Sequence, residues 1–247
     1  MTDEPKAGDS LRTIWLRPAR SGRGPVPEHS AQEIARAAIR LADAGGLAAV
    51  TMRAVAAAVG AAPASLYRYV DTRGELLELM ADQAAGEYVL GEPDAGDPVA
   101  ALIALGRQAL EVYRRHPWLL DIAATAGLPG PNGLAVMDHV LGILSATGLS
   151  TTAKLELFGM FTGSVRSFAQ VEADQLREGR DTAAWQASVA AYLVEVVATG
   201  RYPHLAAALS GSPAASDPGP EQPLFDRALG RILSGLLPPG QKRARRR

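Results

Sequence analysis

Apolar residues recur at helical spacing along most of this chain, and this periodicity restricts it to an all-helical fold. Met52, Val55, Ala56 and Val59 follow the spacing i, i+3, i+4, i+7 of one helix face. The same spacing recurs in four further segments, at residues 134–144, 155–165, 185–196 and 225–236. No segment alternates apolar and polar residues, so we predict about nine or ten helices and no strands.

Glycine and proline divide the chain into units. Residues 91–98 concentrate Gly, Pro and Asp and predict a linker, and residues 211–223 predict a second loop. The sequence therefore predicts four parts: a flexible basic arm at 1–28, a helical domain at 29–88, a larger helical domain at 98–238 and a disordered basic tail at 239–247.

Composition and motifs exclude several classes of function. The formal net charge is −1, so nucleic-acid binding would need locally clustered basic residues. The chain has no cysteine, which excludes disulfides and thiolate metal sites. We see no signal peptide or membrane span and expect a cytoplasmic protein. The four histidines lack metal-ligand spacing and no nucleophile or phosphate-loop motif occurs, so we predict no enzyme, cofactor or metal.

Two short helices joined by a tight turn are predicted near the N-terminus. Ser30 opens a first helix with a capping box, and a Gly-Gly pair stops that helix. Thr51 then caps a helix over 52–59, and the turn at Gly60 leads into a helix over 63–70. This arrangement is typical of a DNA-binding helix-turn-helix, whose second helix enters the major groove.

A fourth helix is predicted from Arg73 to Tyr88. Thr72 and Glu75 have the spacing of a second capping box at its start. This helix is the covalent path from the helix-turn-helix to the rest of the chain.

The residues of this region closely resemble the DNA-binding domain of the TetR family, over about residues 30–80. The matching segments are Thr51-Met52-Arg53-Ala54-Val55-Ala56, Gly60, Ser65-Leu66-Tyr67-Arg68-Tyr69-Val70 and Glu75-Leu76-Leu77. The resemblance implies contact with double-stranded DNA through Thr51, Arg53, Ala64, Ser65, Tyr67, Arg68, Tyr69 and Arg73.

The resemblance also implies particular roles for several of these residues. Thr51 would contact phosphate from its helix cap, Arg53 a base or phosphate at the groove edge, and Arg73 phosphate. Tyr67 could instead pack between helices, and Arg68 could be a solvated charge. Ala62, Pro63 and Ala64 are apolar where some relatives carry polar base-reading residues, so thymine-methyl contact and DNA shape could dominate recognition here.

The second half of the chain looks like the C-terminal domain of the tetracycline-repressor subclass, over about residues 98–238. The matching segments are His116-Pro117-Trp118-Leu119, Gly130-Pro131-Asn132-Gly133-Leu134 and residues 225–233. This resemblance implies a helical ligand-binding and dimerisation domain. In the homodimer, Thr151–Arg177 and residues 224–237 would form a four-helix bundle.

A small-molecule effector is the second partner that the resemblance implies. The candidate contact residues are Trp118, Asn132, Phe158, Phe161, Arg166 and Gln170. Plain core packing is the alternative for the aromatic residues, and His116 is expected to begin or end a helix before Pro117 rather than to bind a ligand. Ala124 and Phe168 stand where the subclass carries metal-associated residues, so we expect an apolar or aromatic effector bound without metal.

The leading hypothesis is a repressor that binds a pseudo-palindromic operator and is released by its effector. Two alternatives stay open: a DNA-binding regulator without an effector, and a small-molecule binding module without specific DNA binding. In the arm, Arg17, Arg20 and Arg23 either contact DNA or have no specific role.

Overall fold

The computed structural model describes residues 14–16, 29–122, 129–177, 179, 182–210 and 223–238. Every regular element in these ranges is helical, which confirms the all-α prediction. The described ranges hold eleven α-helices, so the expected nine or ten was too low. The predictions for the rest of the arm, for residues 211–222, for the tail and for Ala124 lie outside the described residues.

The helices follow one another in two groups. The first four are α1 (Ala31–Gly45), α2 (Met52–Ala58), α3 (Pro63–Leu66) and α4 (Arg73–Ala85). The others are α5 (Pro98–Arg115), α6 (Leu119–Ile122), α7 (Pro131–Ile143), α8 (Thr151–Arg177), α9 (Thr182–Ala198), α10 (Pro203–Ser210) and α11 (Leu224–Leu236). We call α1–α4 the N-terminal unit and the helices from α5 onward the body.

Caps and glycines set the helix ends of the N-terminal unit much as predicted. The Ser30 hydroxyl accepts a hydrogen bond from the Glu33 amide, and the Glu33 carboxylate accepts one from the Ser30 amide. The Thr51 hydroxyl accepts from the amide three residues later and opens α2. Gly46 and Gly60 have φ of 69° and 75°, a left-handed region that glycine adopts without steric cost.

Two predicted helices are shorter in the structure. The predicted helix over 63–70 ends at Leu66, because the amides of Arg68 and Tyr69 bond to carbonyls three residues back and tighten the chain into turns. The fourth helix ends at Ala85, not Tyr88, through the same kind of bond at Gly86. Its second capping box is incomplete, since the Glu75 carboxylate accepts from the Asp71 amide and not from Thr72.

The two groups of helices have separate hydrophobic cores that share the region of α6. Trp118 and Ile122 are buried in the core of the N-terminal unit. Leu120, between them in sequence, is buried in the core formed by α5, α7, α8 and α11. Residues four apart lie on one helix face and a residue midway lies on the opposite face, so this short helix joins both cores.

A buried carboxylate fastens α4 to α7. Asp82 accepts hydrogen bonds from the Gly133 amide at 2.9 Å and from the Asn132 side-chain amide at 3.1 Å. Both donors lie in the first turn of α7, where free amides and the helix dipole favour a negative charge. Trp15, from a short helical turn at Ile14–Leu16, lies against Gly130 at the cap of the same helix.

Helix α11 lies against α5 in the body. Arg107 donates to Asp226 through Nε at 2.9 Å, and this hydrogen bond lowers the pKa of the Asp226 carboxyl. Gly106 permits the close approach, because an added Cβ would lie 3.0 Å from side-chain atoms of Phe225 and Leu229.

Within the described ranges, no helix is both long and apolar enough to cross a membrane.

Replacing Gly130 with alanine should lower the free energy of unfolding by about 1–3 kcal/mol. The new methyl group would lie 2.5 Å from Asp82 Cγ and 2.5 Å from Trp15 Cζ2. The matched control is Gly74→Ala in α4, where the nearest atom is 3.6 Å away and the change should stay within about 0.5 kcal/mol. Denaturant titration compares the two variants, and equal stability would contradict the packing of Asp82 and Trp15 on Gly130.

Candidate nucleic-acid interface and interdomain joint

The residues predicted to contact DNA lie on α2, α3 and the turns beside them. Six of the eight are exposed, namely Thr51, Arg53, Ala64, Tyr67, Arg68 and Arg73, and the other two, Ser65 and Tyr69, are half-buried. The Tyr67 side chain is 51% exposed, which is unusual for a large aromatic residue.

Buried neighbours hold these residues at the surface. Leu66 and Val70 lie on either side of the segment 67–69 and are fully buried, together with Val55 on α2. Their burial fixes α3 on α2, so that Tyr67 and Arg68 point away from the core. The structure therefore presents a helix-turn-helix surface with polar and aromatic groups outward.

Arg73 and Thr51 already take part in local bonds. The Arg73 guanidinium donates to the carbonyls of Leu47 and Val50 at 3.0 and 3.3 Å, which holds the start of α4 beside the start of α2. Thr51 uses its hydroxyl oxygen as an acceptor in the cap, so its O–H remains a donor. The Tyr69 hydroxyl accepts a hydrogen bond from the His29 amide ahead of α1.

The predicted effector residues divide between two places. Phe158, Phe161 and Arg166 lie on α8, where Phe161 is buried in the body core and Phe158 packs against it. Arg166 donates to the Leu120 carbonyl of α6 at 3.1 Å. Gln170 donates to Asp174 one turn along the same helix.

Trp118 and Asn132 lie apart from that group. The Trp118 indole is buried in the core of the N-terminal unit, and the Asn132 amide donates to Asp82 of α4. Both side chains therefore connect the N-terminal unit to the body.

Two half-buried phenols, Tyr88 and Tyr113, pack against the body core, and Tyr113 lies near Arg166. Burial raises the pKa of Tyr113, although the positive charge of Arg166 opposes the shift. Burial raises the pKa of Tyr88 as well, with a further contribution from Tyr113. Both phenols are therefore neutral hydrogen-bonding groups, and they lie against the apolar body core.

The contact between the two units is polar as well as apolar. The interdomain joint, as we call it, consists of Asp43, Glu87, Arg115, His116 and Trp118. His116 ends α5 as predicted, but its ring also lies between two carboxylates. Nδ1 is 2.7 Å from Asp43 Oδ1, and Nε2 is 2.9 Å from Glu87 Oε1. Sequence reasoning missed this role of His116.

Each carboxylate of the joint has a second donor. The Trp118 indole N–H donates to the same Asp43 oxygen at 2.7 Å, and Arg115 donates to Glu87 Oε2 at 2.9 and 2.6 Å. Burial acts to raise the pKa of Glu87, but hydrogen bonds from His116 and Arg115 outweigh it and lower that pKa. The joint therefore holds an ionised carboxylate between two donors from the body.

Comparisons with known proteins agree with this architecture. Residues 34–80 match the family model of bacterial regulatory proteins of the tetR family, and residues 90–238 match that of the tetracyclin repressor-like C-terminal domain. The HTH-type transcriptional repressor DrrR1 of Streptomyces coeruleorubidus is 38% identical over 245 residues, covering 95% of this chain and 88% of that protein.

Solved structures give the same result. ActR of Streptomyces coelicolor in complex with actinorhodin is 28% identical with a TM-score of 0.69, covering 85% of this chain and 96% of ActR. Apo ActR is 25% identical with a TM-score of 0.67, covering 86% and 96%. The matches span both units, and the chain thus belongs to the TetR family of regulatory proteins.

Proposed function

We propose that this protein is a non-enzymatic repressor that binds a pseudo-palindromic operator as a homodimer and is released by a small organic effector. The observation that supports this proposal most directly is that α4 is attached to a different part of the molecule at each of its two ends. Its first residue lies beside the exposed helix-turn-helix face, and its far end is bonded to the body at Asp82 and through Glu87. A change in the body would therefore move the DNA-binding face.

The exposed face of the N-terminal unit supports DNA contact. α3 would enter the major groove, with Ala64, Ser65, Tyr67, Arg68 and Tyr69 on or beside it. Thr51, Arg53 and Arg73 would contact the phosphates that flank the groove. In a two-fold dimer the two half-sites would lie about 34 Å apart or a multiple of that distance.

Exposed apolar side chains support the dimer. α8 and α11 carry Leu155, Met160, Val171, Leu224 and Ile232 at the surface of the single chain. No described residue of α9 is buried, although the helix is strongly apolar. A second copy packed on these helices would remove their apolar side chains from water.

The body supports an aromatic effector. We propose that Phe158 and Phe161 supply apolar contact, and that Arg166, Gln170, Tyr88 and Tyr113 supply polar groups. Trp118 and Asn132 are engaged with Asp43 and Asp82, so we assign them to the link with the N-terminal unit. The related ActR has been solved in complex with actinorhodin, which supports a small-molecule ligand for this chain as well.

The proposed DNA contact is tested with the intergenic DNA upstream of the protein's own gene. Tyr67→Ala should weaken binding in fluorescence anisotropy while the melting temperature stays near that of the wild type, because the ring is 51% exposed. The neighbouring Leu66→Ala should instead lower the free energy of unfolding by about 2–5 kcal/mol. Undiminished binding by a folded Tyr67→Ala protein would contradict the assigned role.

The salt dependence of binding tests Arg73. Arg73→Ala should weaken binding to operator and unrelated DNA alike, and should reduce the slope of log K against log salt by about 0.9 for each phosphate that the variant no longer neutralises. Arg73→Lys keeps the charge but not the paired bonds to Leu47 and Val50, so it should keep most of the slope. An unchanged slope in Arg73→Ala would mean that Arg73 does not contact phosphate and serves only its bonds to Leu47 and Val50.

Light scattering tests the dimer. Ile232→Glu on α11 should shift the protein from dimer to monomer at micromolar concentration, because it places a charge in the proposed apolar interface. Val89→Glu is the control, since Val89 is 80% exposed and lies on the linker before α5. A monomeric wild type, or a dimeric Ile232→Glu variant, would contradict the proposed interface.

A further inference from the structure

We propose that His116 is a positioning residue whose protonated ring holds the N-terminal unit against the body in the operator-binding arrangement. The proposal rests on the function proposed above and adds a dependence on pH. Operator affinity should fall as the pH rises and the ring loses its proton.

The two carboxylates beside the His116 ring require both ring nitrogens to donate hydrogen bonds. Asp43 Oδ1 lies 2.7 Å from Nδ1 and Glu87 Oε1 lies 2.9 Å from Nε2. An ionised carboxylate only accepts hydrogen bonds, and a neutral imidazole donates through one nitrogen only. The neutral ring would therefore leave one nitrogen lone pair facing a carboxylate oxygen. Only the imidazolium ring satisfies both sides.

The ring connects three elements that belong to different parts of the fold. Asp43 is in the last turn of α1, Glu87 follows α4, and His116 is the C-terminal cap of α5. The His116 side chain is 8% exposed, so water cannot easily take the place of either carboxylate. A positive ring at the end of α5 is also favoured by the dipole of that helix.

The other groups around the ring decide what happens when the proton leaves. Asp43 keeps the Trp118 indole as a donor, and Glu87 keeps Arg115. Neither carboxylate is then left without a hydrogen bond. Loss of the proton should loosen the bridge between α1, α4 and α5 without unfolding either unit, which distinguishes a positioning role from a purely structural one.

The direction of the pH effect follows from these charges. The bridge is complete while His116 is protonated, and it is lost as the pH rises through the titration of the ring. Because the pKa of Glu87 is lowered, its carboxylate stays ionised at pH values somewhat below its ordinary range. On the Glu87 side, acid therefore does not break the bridge between about pH 5 and pH 8.

The first test measures operator affinity of the full-length protein across this pH range by fluorescence anisotropy. Wild type should bind about tenfold more weakly at the alkaline end, the size expected from one charge-assisted hydrogen bond. His116→Gln should bind weakly at all pH values with a flat profile. His204→Gln is the control, since His204 is exposed on α10 and the variant should keep the wild-type profile. A His116→Gln profile that parallels the wild type would overturn the proposal.

The second test uses no DNA and so separates this proposal from the proposed function. Nitrogen NMR of the imidazole rings in the wild-type protein reports whether each ring nitrogen carries a proton. Both ring nitrogens of His116 should carry a proton near neutral pH, because each faces a carboxylate oxygen at hydrogen-bonding distance. A single protonated nitrogen in His116 under those conditions would refute the bridge, whether or not the operator is bound. If His116→Gln fails to fold, Asp43→Asn replaces it, and its pH profile should also be flattened.

Discussion

The burial of α6 between two cores is the constraint on which the rest of the structure depends. Trp118 and Ile122 complete the core of the N-terminal unit, while Leu120 completes that of the body. A helix of four residues is not stable alone, so it exists only because both cores pack against it. The polar bonds of His116 and Trp118 to Asp43 then fix its position relative to α1.

Helix α4 is bonded to other elements at both of its ends. Arg73 bonds its start to the turn before α2, and Asp82 bonds its last turns to α7. A rigid helix that is bonded to both units passes a displacement of the body on to the N-terminal unit. Release of DNA by an effector would require such a link. Moving such an equilibrium from 1:99 to 99:1 takes about 5.5 kcal/mol of differential effector binding. The coupling is reciprocal, so operator DNA would weaken effector binding by the same factor.

Local sequence signals predicted the parts of the fold that local physics decides. The capping box at Ser30, the turn at Gly60 and the helical spacing of residues 155–165 within α8 follow from caps, glycine and periodicity. The joint could not be predicted, because its bonds join residues far apart in sequence. Trp118 and Asp43 are 75 positions apart, and Asn132 and Asp82 are 50 apart. Trp118 and Asn132, which the sequence predicts as effector contacts, lie at this interdomain contact in the structure.

The most direct test of the shared core is calorimetric unfolding of the full-length protein. If α6 belongs to both cores, neither unit can unfold while leaving the other intact, and the chain should melt in one cooperative transition. Two resolved transitions, the first of them removing only the helices of the N-terminal unit, would contradict this account.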